Sequence, residues 1–199
     1  MAGAGPANGL SVTQTAIDLA RPHPGHHLQI PGFLLDAQRR ALELVVKGAP
    51  LSEILTYLTQ IVEDHADGTV VAAILLLDSH GKLQTGAAPS LPAEYNAAID
   101  GLTAEIGVGT CSEAAVSQEI VITPDIAQDP NWRTIKHLPL GLGLKAAWSH
   151  PVVSGSGKTL ATFGTYFREK RGPSPTERQL IAVLAPTAAL AIERKQTEE

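Results

Sequence analysis

Two apolar runs of β-forming residues, Leu144–Val153 and Thr159–Phe167, meet at a short Gly/Ser turn. A turn that short leaves them one arrangement, an antiparallel hairpin rich in Val, Thr, Phe and Tyr. Just upstream lies TPDIAQDPNW, a turn-rich segment carrying one of the two Trp residues of the chain. A rigid hairpin facing an irregular loop with Trp, Asp, His and Lys side chains is a way to build a ligand pocket in a small domain. It does not have the layout of a familiar catalytic centre.

The remaining composition narrows the class. At 199 residues the chain is long enough for one domain with its own core, plus tails. Only 4% of residues are aromatic, so that core must be built mainly from Leu, Ile, Val and Ala. The formal charge of −5 comes without a basic stripe, which argues against nucleic acid as the main partner. A single cysteine, Cys111, rules out an intrachain disulfide and a cysteine-based zinc cluster, and a reducing cytoplasm is the compartment easiest to reconcile with it. The first residues lack the basic start and apolar run of a secretory signal, and the longest apolar run, Val70–Leu77, is too short to cross a bilayer. The expectation is a soluble cytoplasmic protein without membrane insertion.

Residues 1–31 carry Pro at 6, 22, 24 and 31 among Ala, Gly and His, and are expected to form an extended or mobile lead-in. A helix is expected from Leu34, with Asp36 as N-cap and Leu35, Leu42, Val45 and Val46 on one face, ending at Gly48 and Pro50. A second helix carries a cleaner stripe, Leu51, Ile54, Leu55, Leu58, Ile61 and Val62. Thr69–Asp78 and Lys82–Ala88 are expected to pair as antiparallel strands, followed by a short helix over Pro92–Asp100. A short strand or bulge is expected at Glu105–Val108, a helical turn at Glu113–Ser117, a strand at Glu119–Thr123, and a loop or short helix over Asp125–Leu140. Ser174–Glu199 reads as one long helix capped by Ser174 or Thr176, kinked near Pro186, with a polar end. Antiparallel strands with helices before and after them give an α+β fold, with helices packed on one face of a sheet.

Seven segments in this order resemble the GAF family, the small-molecule-sensing module of many bacterial signalling proteins. They are APLSEIL (49–55), VAAILLLD (71–78), IGVGTCSEAA (106–115), DIAQDPNW (125–132), GLGLKAAWSHPV (141–152), TLATFGTYF (159–167) and AIERK (191–195). The resemblance covers about four-fifths of the chain, with a sensor domain spanning 32–196 and residues 197–199 as the polar end of a signalling helix. It implies a six-stranded antiparallel sheet with the terminal helices on one face. It places the ligand pocket on the other, beneath 106–118 and 125–143. It also implies a homodimer through the terminal helices and a separate output domain such as a histidine kinase or diguanylate cyclase.

Six residues are candidates for the pocket: Cys111, Asp125, Trp132, Lys145, Trp148 and His150. Cys111 follows a Gly-rich turn near a helix start, a place that lowers a thiol pKa; it also suits a small residue packed at a pocket wall. One GAF subgroup reduces free methionine sulfoxide with several cysteines, but here no second thiol exists to close a disulfide cycle. Another subgroup attaches a bilin, usually through a Cys-His pair, whereas Ser112 follows Cys111. Trp132 could cap a ligand and Asp125 and Asp129 could accept its hydrogen bonds; equally, the Asp residues suit turns and the Trp suits the core. Trp148 and His150 share one strand face and Lys145 takes the other. The Trp/His pair would suit a planar or anionic ligand, or simply core and strand end.

Other features carry less. His137 is a conceivable haem ligand, though a lone loop His is more often exposed. Residues 155–159 imitate the end of a P-loop but precede a strand, so they form a hairpin turn without nucleotide binding. The histidines of 23–27 could chelate a metal, and the N-K-x-D-E signature of cyclic-nucleotide-binding GAF domains is missing. The reading is a non-catalytic sensor of an unidentified small molecule. A methionine sulfoxide reductase using Cys111 and a ligand-free dimerisation module are the alternatives.

Overall fold

A computed structural model describes residues 32–198 apart from residue 67. The lead-in expected over 1–31, with its histidines, lies outside the described residues. The elements run α1 (Gly32–Val46), α2 (Leu51–His65), β1 (Val70–Leu77), β2 (Leu83–Ala87), α3 (Ala93–Ile99), α4 (Thr110–Ser117) and β3 (Val121–Thr123). A 3-10 turn (Pro130–Trp132), α5 (His137–Gly141), β4 (Ala146–Val153), β5 (Thr159–Phe167) and α6 (Pro175–Glu198) complete them. The fold is α+β, with one antiparallel sheet of five strands in the order β2-β1-β5-β4-β3.

The sequence makes β5 the middle of this sheet, and every one of its residues is buried. Its period-two alternation divides the core. Ala161, Phe163 and Phe167 join Trp148, Ala72 and Ile74 under α1, α2 and α6. Tyr166 joins Ala73, Leu75 and Ala147 on the reverse face, beneath α3, α4 and the 130–144 segment. The two faces of the same strands thus serve two separate layers.

Among the described residues the sixth strand of the GAF pattern is not formed. Where Glu105–Val108 was expected to extend, the chain turns at Gly107, whose φ of 99° lies outside the reach of an extended L-residue. Among the described residues an isolated bridge, Lys82 to Thr103, is what lies beyond β2. Asp100 instead accepts from the Thr85 N–H (2.6 Å) and hydroxyl (2.7 Å), so a carboxylate blunts the exposed edge of β2.

The expected α2 stripe is buried as spaced: Ile54, Leu55, Leu58, Ile61 and Val62. In α1 the register differs. The helix starts at Gly32, so Asp36 lies inside it rather than capping it, and Leu34, Ala41 and Val45 form the buried face. Leu35 and Val46 point outward, Val46 at 85% exposure.

Ser174 begins α6 through a reciprocal capping box. Its N–H donates to Glu177 Oε2 (2.7 Å), and the Glu177 N–H donates to Ser174 Oγ (3.2 Å). The helix continues unbroken through Pro186. Pro186 and Ala182 are both exposed, so water can satisfy the Ala182 carbonyl that the proline leaves without a donor. Gln38 Nε2 donates to Val183 O (3.4 Å) and the Arg194 guanidinium reaches Val45 O, so α1 and α6 run parallel.

Candidate functional site

The reverse face of the sheet carries small residues where α4 crosses it. Cys111, the second residue of α4, places Sγ 3.1 Å from Ser149 Oγ on β4. Ser149 Oγ in turn donates to Thr110 Oγ1 at 2.9 Å. Gly164 on β5 lies directly beneath: a Cβ there would stand 2.6 Å from Cys111 Sγ. The bare backbone at 164 is what lets α4 approach so closely.

The turn into α4 is held from above by the 130–134 segment. Asn131 accepts from the Gly107 N–H through its side chain (2.8 Å) and from the Gly109 N–H through its backbone (2.7 Å). Thr134 Oγ1 donates to Gly107 O at 2.9 Å. Asp129 caps the 3-10 turn by accepting from the Asn131 N–H, and accepts from Thr123 Oγ1 at 2.6 Å. The Thr123 hydroxyl oxygen also receives the Trp132 indole N–H at 3.1 Å.

Trp132 therefore does not stand over an open site. It is 1% exposed, its ring packs edge-on to Tyr166 with centroids 6.2 Å apart, and its polar tip is used internally. Tyr95 donates to the Tyr166 hydroxyl at 3.0 Å in the same buried cluster. Burial pushes both tyrosine hydroxyls well above their usual range.

Burial also pushes the Cys111 thiol up, against the opposing effect of the Ser149 and Thr162 hydroxyls. The lowering expected of a helix start is thus not what governs Cys111. Desolvation disfavours the thiolate more than local dipoles favour it.

The other candidates are dispersed. Asp125 caps its turn through the Ala127 N–H (3.1 Å) and pairs with Lys170 at 2.8 Å. The Lys170 contact is the main reason its carboxyl is held below the usual range. Lys145 is exposed just before β4. Trp148 and His150 share a face as spaced, but it is the helix-covered one, away from Cys111 and Trp132. Trp148 is 1% exposed in the core with α2 and α6. His150 is half-buried beside Ala182 and Pro186 of α6, and its Nδ1 donates to Pro151 O at 2.8 Å. Desolvation lowers its pKa, partly offset by that carbonyl.

Ser149, Thr162, Gly164, Tyr95 and Tyr166 surround Cys111 and were not singled out from the sequence. Strand parity held the signal: Ser149 lies between Trp148 and His150 and so faces the other layer. His137 is exposed at the start of α5, and residues 155–158 form the β4–β5 turn. Among the described residues no cluster of His, Cys, Asp and Glu is arranged to hold a metal, and no helix is long and apolar enough to cross a membrane.

Comparison with known proteins gives a consistent picture. A family model described as GAF domain matches residues 48–193. A protein of Methanosarcina acetivorans called a methyl sulfide methyltransferase-associated sensor is 34% identical over 166 residues, 83% of this chain; the chain spans only 17% of that protein's length. Among solved structures, the GAF domain of a phosphoenolpyruvate-protein phosphotransferase from Coxiella burnetii superposes with a TM-score of 0.67 at 16% identity, covering 83% of this chain and 95% of that one. A free methionine-R-sulfoxide reductase from Neisseria meningitidis, in complex with its substrate, superposes with a TM-score of 0.63 at 12% identity, over 83% and 89%. At these identities the structures speak to fold alone.

Proposed function

This chain belongs to the GAF domain family, and on that premise we propose that it is a non-catalytic sensory module. A small molecule would bind on the α4 face of the sheet, beneath the 106–118 and 125–143 segments, and the event would pass through the sheet to α6. The observation that supports this reading is the sharing of two strands by two layers. Ser149 and Gly164 face α4, while their chain neighbours Trp148 and Phe163 face the layer of α2 and α6. A ligand that lifts α4 off Gly164 therefore bears on β4 and β5, the strands on which α6 rests. The sensor named among its relatives points the same way. Shifting such an equilibrium from 1:99 to 99:1 takes about 5.5 kcal/mol of differential binding.

The outward stripe of α1, with Leu35, Leu42 and Val46, supports a homodimer through the terminal helices. Because α1 and α6 run parallel, a change at the sheet would be passed on along one direction to an attached output domain. The reductase reading fits less well. It needs a nucleophilic thiolate and a second thiol, whereas Cys111 is buried, its thiol is pushed up, and it is the only cysteine of the chain.

The test is a thermal-shift and native mass spectrometry screen of the chain against small metabolites. Compounds that stabilise the wild type should lose at least about tenfold in affinity, near 1.4 kcal/mol, in Ser149→Ala or Tyr166→Phe and keep it in His150→Ala. The reverse pattern would move the site to the helix side. Failure of every compound would favour the second reading, a ligand-free dimerisation module, which the close packing of Cys111, Trp132, Tyr95 and Tyr166 supports.

A further inference from the structure

Among the described residues, two buried polar groups on the helix-covered face have no hydrogen-bond partner within the protein: the indole N–H of Trp148 and the hydroxyl of Thr165. The two residues are 1% and 2% exposed and lie directly opposite each other in the β4–β5 register. Leaving such groups unpaired costs about 1–3 kcal/mol each, so native proteins rarely do so.

Both residues line the same small, largely enclosed cavity, bounded also by Val62, His65, Val70, Leu180 and Glu177. About 10 Å³ of it is open to the centre of a water molecule, close to the minimum of roughly 10–15 Å³ that one water needs. The volume excludes any larger ligand. Its lining is mostly apolar, and the unpartnered Trp148 N–H and Thr165 hydroxyl are what distinguish it from the wholly apolar cavities that stay dry.

We propose that this cavity is a binding site for one ordered water molecule that joins Trp148 and Thr165 to Glu177. The water oxygen accepts from the Trp148 indole N–H, which can only donate. Its two hydrogens go to Thr165 Oγ1 and to the Glu177 carboxylate. That carboxylate already accepts from Arg171 Nη1 and Nη2 and from the Ser174 N–H, and two oxygens offer about four acceptor sites. Glu177 is the third residue of α6 and half of its capping box, so the water ties the first turn of the longest helix to the adjacent strands β4 and β5. It adds a polar link to the apolar packing of Trp148 against Leu180 and Ile181 of α6.

A crystal structure of the wild-type chain, at a resolution where ordered waters are visible, tests this. The expected result is one density peak about 2.7–3.2 Å from both Trp148 Nε1 and Thr165 Oγ1, lost or displaced in Thr165→Val with the surrounding backbone unchanged. A wild-type cavity without density, or a protein acceptor on Trp148 Nε1, would overturn the proposal.

Discussion

Gly164 and Cys111 meet so closely that a Cβ on the first would stand 2.6 Å from the Sγ of the second. No real side chain tolerates that separation, so Gly164→Ala must push α4 away from the sheet or shift the thiol. A cost of about 1–3 kcal/mol is expected, the range for overpacking a close-fitted site. Cys111→Ala removes the obstructing sulfur. The double variant should therefore be more stable than the sum of the single costs predicts, by about 0.5–3 kcal/mol. Equilibrium denaturation of the four proteins in the cycle measures this, and strict additivity would show that the two residues do not contend for space.

Cys111 should be chemically quiet. With the sulfur buried and its thiolate disfavoured, an aromatic disulfide reagent should react slowly with native protein and promptly after denaturation. Prompt reaction of the folded chain would mean that the α4 face opens readily, and would reinstate thiol chemistry.

The start of α6 depends on Ser174 and Glu177. Ser174→Ala should cost about 0.5–2 kcal/mol, as loss of an N-cap usually does. Burial alone would raise the Glu177 carboxyl, but the Arg171 guanidinium and the Ser174 N–H outweigh it and hold the carboxyl below its usual range. A depressed carboxyl contributes stability above its unfolded pKa of about 4.3. That contribution is lost as pH falls through the lower folded value. Glu177→Gln should remove this acid-dependent component from urea titrations run across that window.

His150 gives the opposite chemistry and the same sign of pH response. Its folded pKa is depressed by desolvation, so below about 6.5 the unfolded chain takes up a proton before the folded one does. The stability it lends is full above that pH and falls as pH drops toward the folded value. His150→Gln should flatten the slope just below neutrality, and an unchanged slope would place the imidazole in water.

Much of the fold was legible in periodicity. The α2 stripe, the β1–β2 pair and the β4–β5 hairpin follow from spacing and turn residues alone. The α1 register was not, because Leu34, Leu35, Val45 and Val46 are adjacent apolar pairs and the sequence does not say which member of each faces inward. The candidate site was half legible. Parity correctly put Trp148 and His150 on one face, but nothing in a single strand says which layer covers that face. The importance of Ser149 and Gly164 emerges only when α4 is laid across them, since small residues advertise themselves by what packs on them.

The coupling of the two layers is the claim on which the sensory reading stands. Hydrogen exchange followed by mass spectrometry, under conditions reporting local opening, tests it without knowledge of the ligand. Gly164→Ala places a Cβ against Cys111 beneath α4, and Thr85→Val, which removes the Thr85 hydroxyl bond to Asp100 at the β2 edge, serves as the control. The account predicts faster exchange in Gly164→Ala both across 110–117 and in α6 around Leu180–Ile192, with α6 unaltered in the control. Acceleration confined to 110–117, or equal in α6 for both variants, would contradict it.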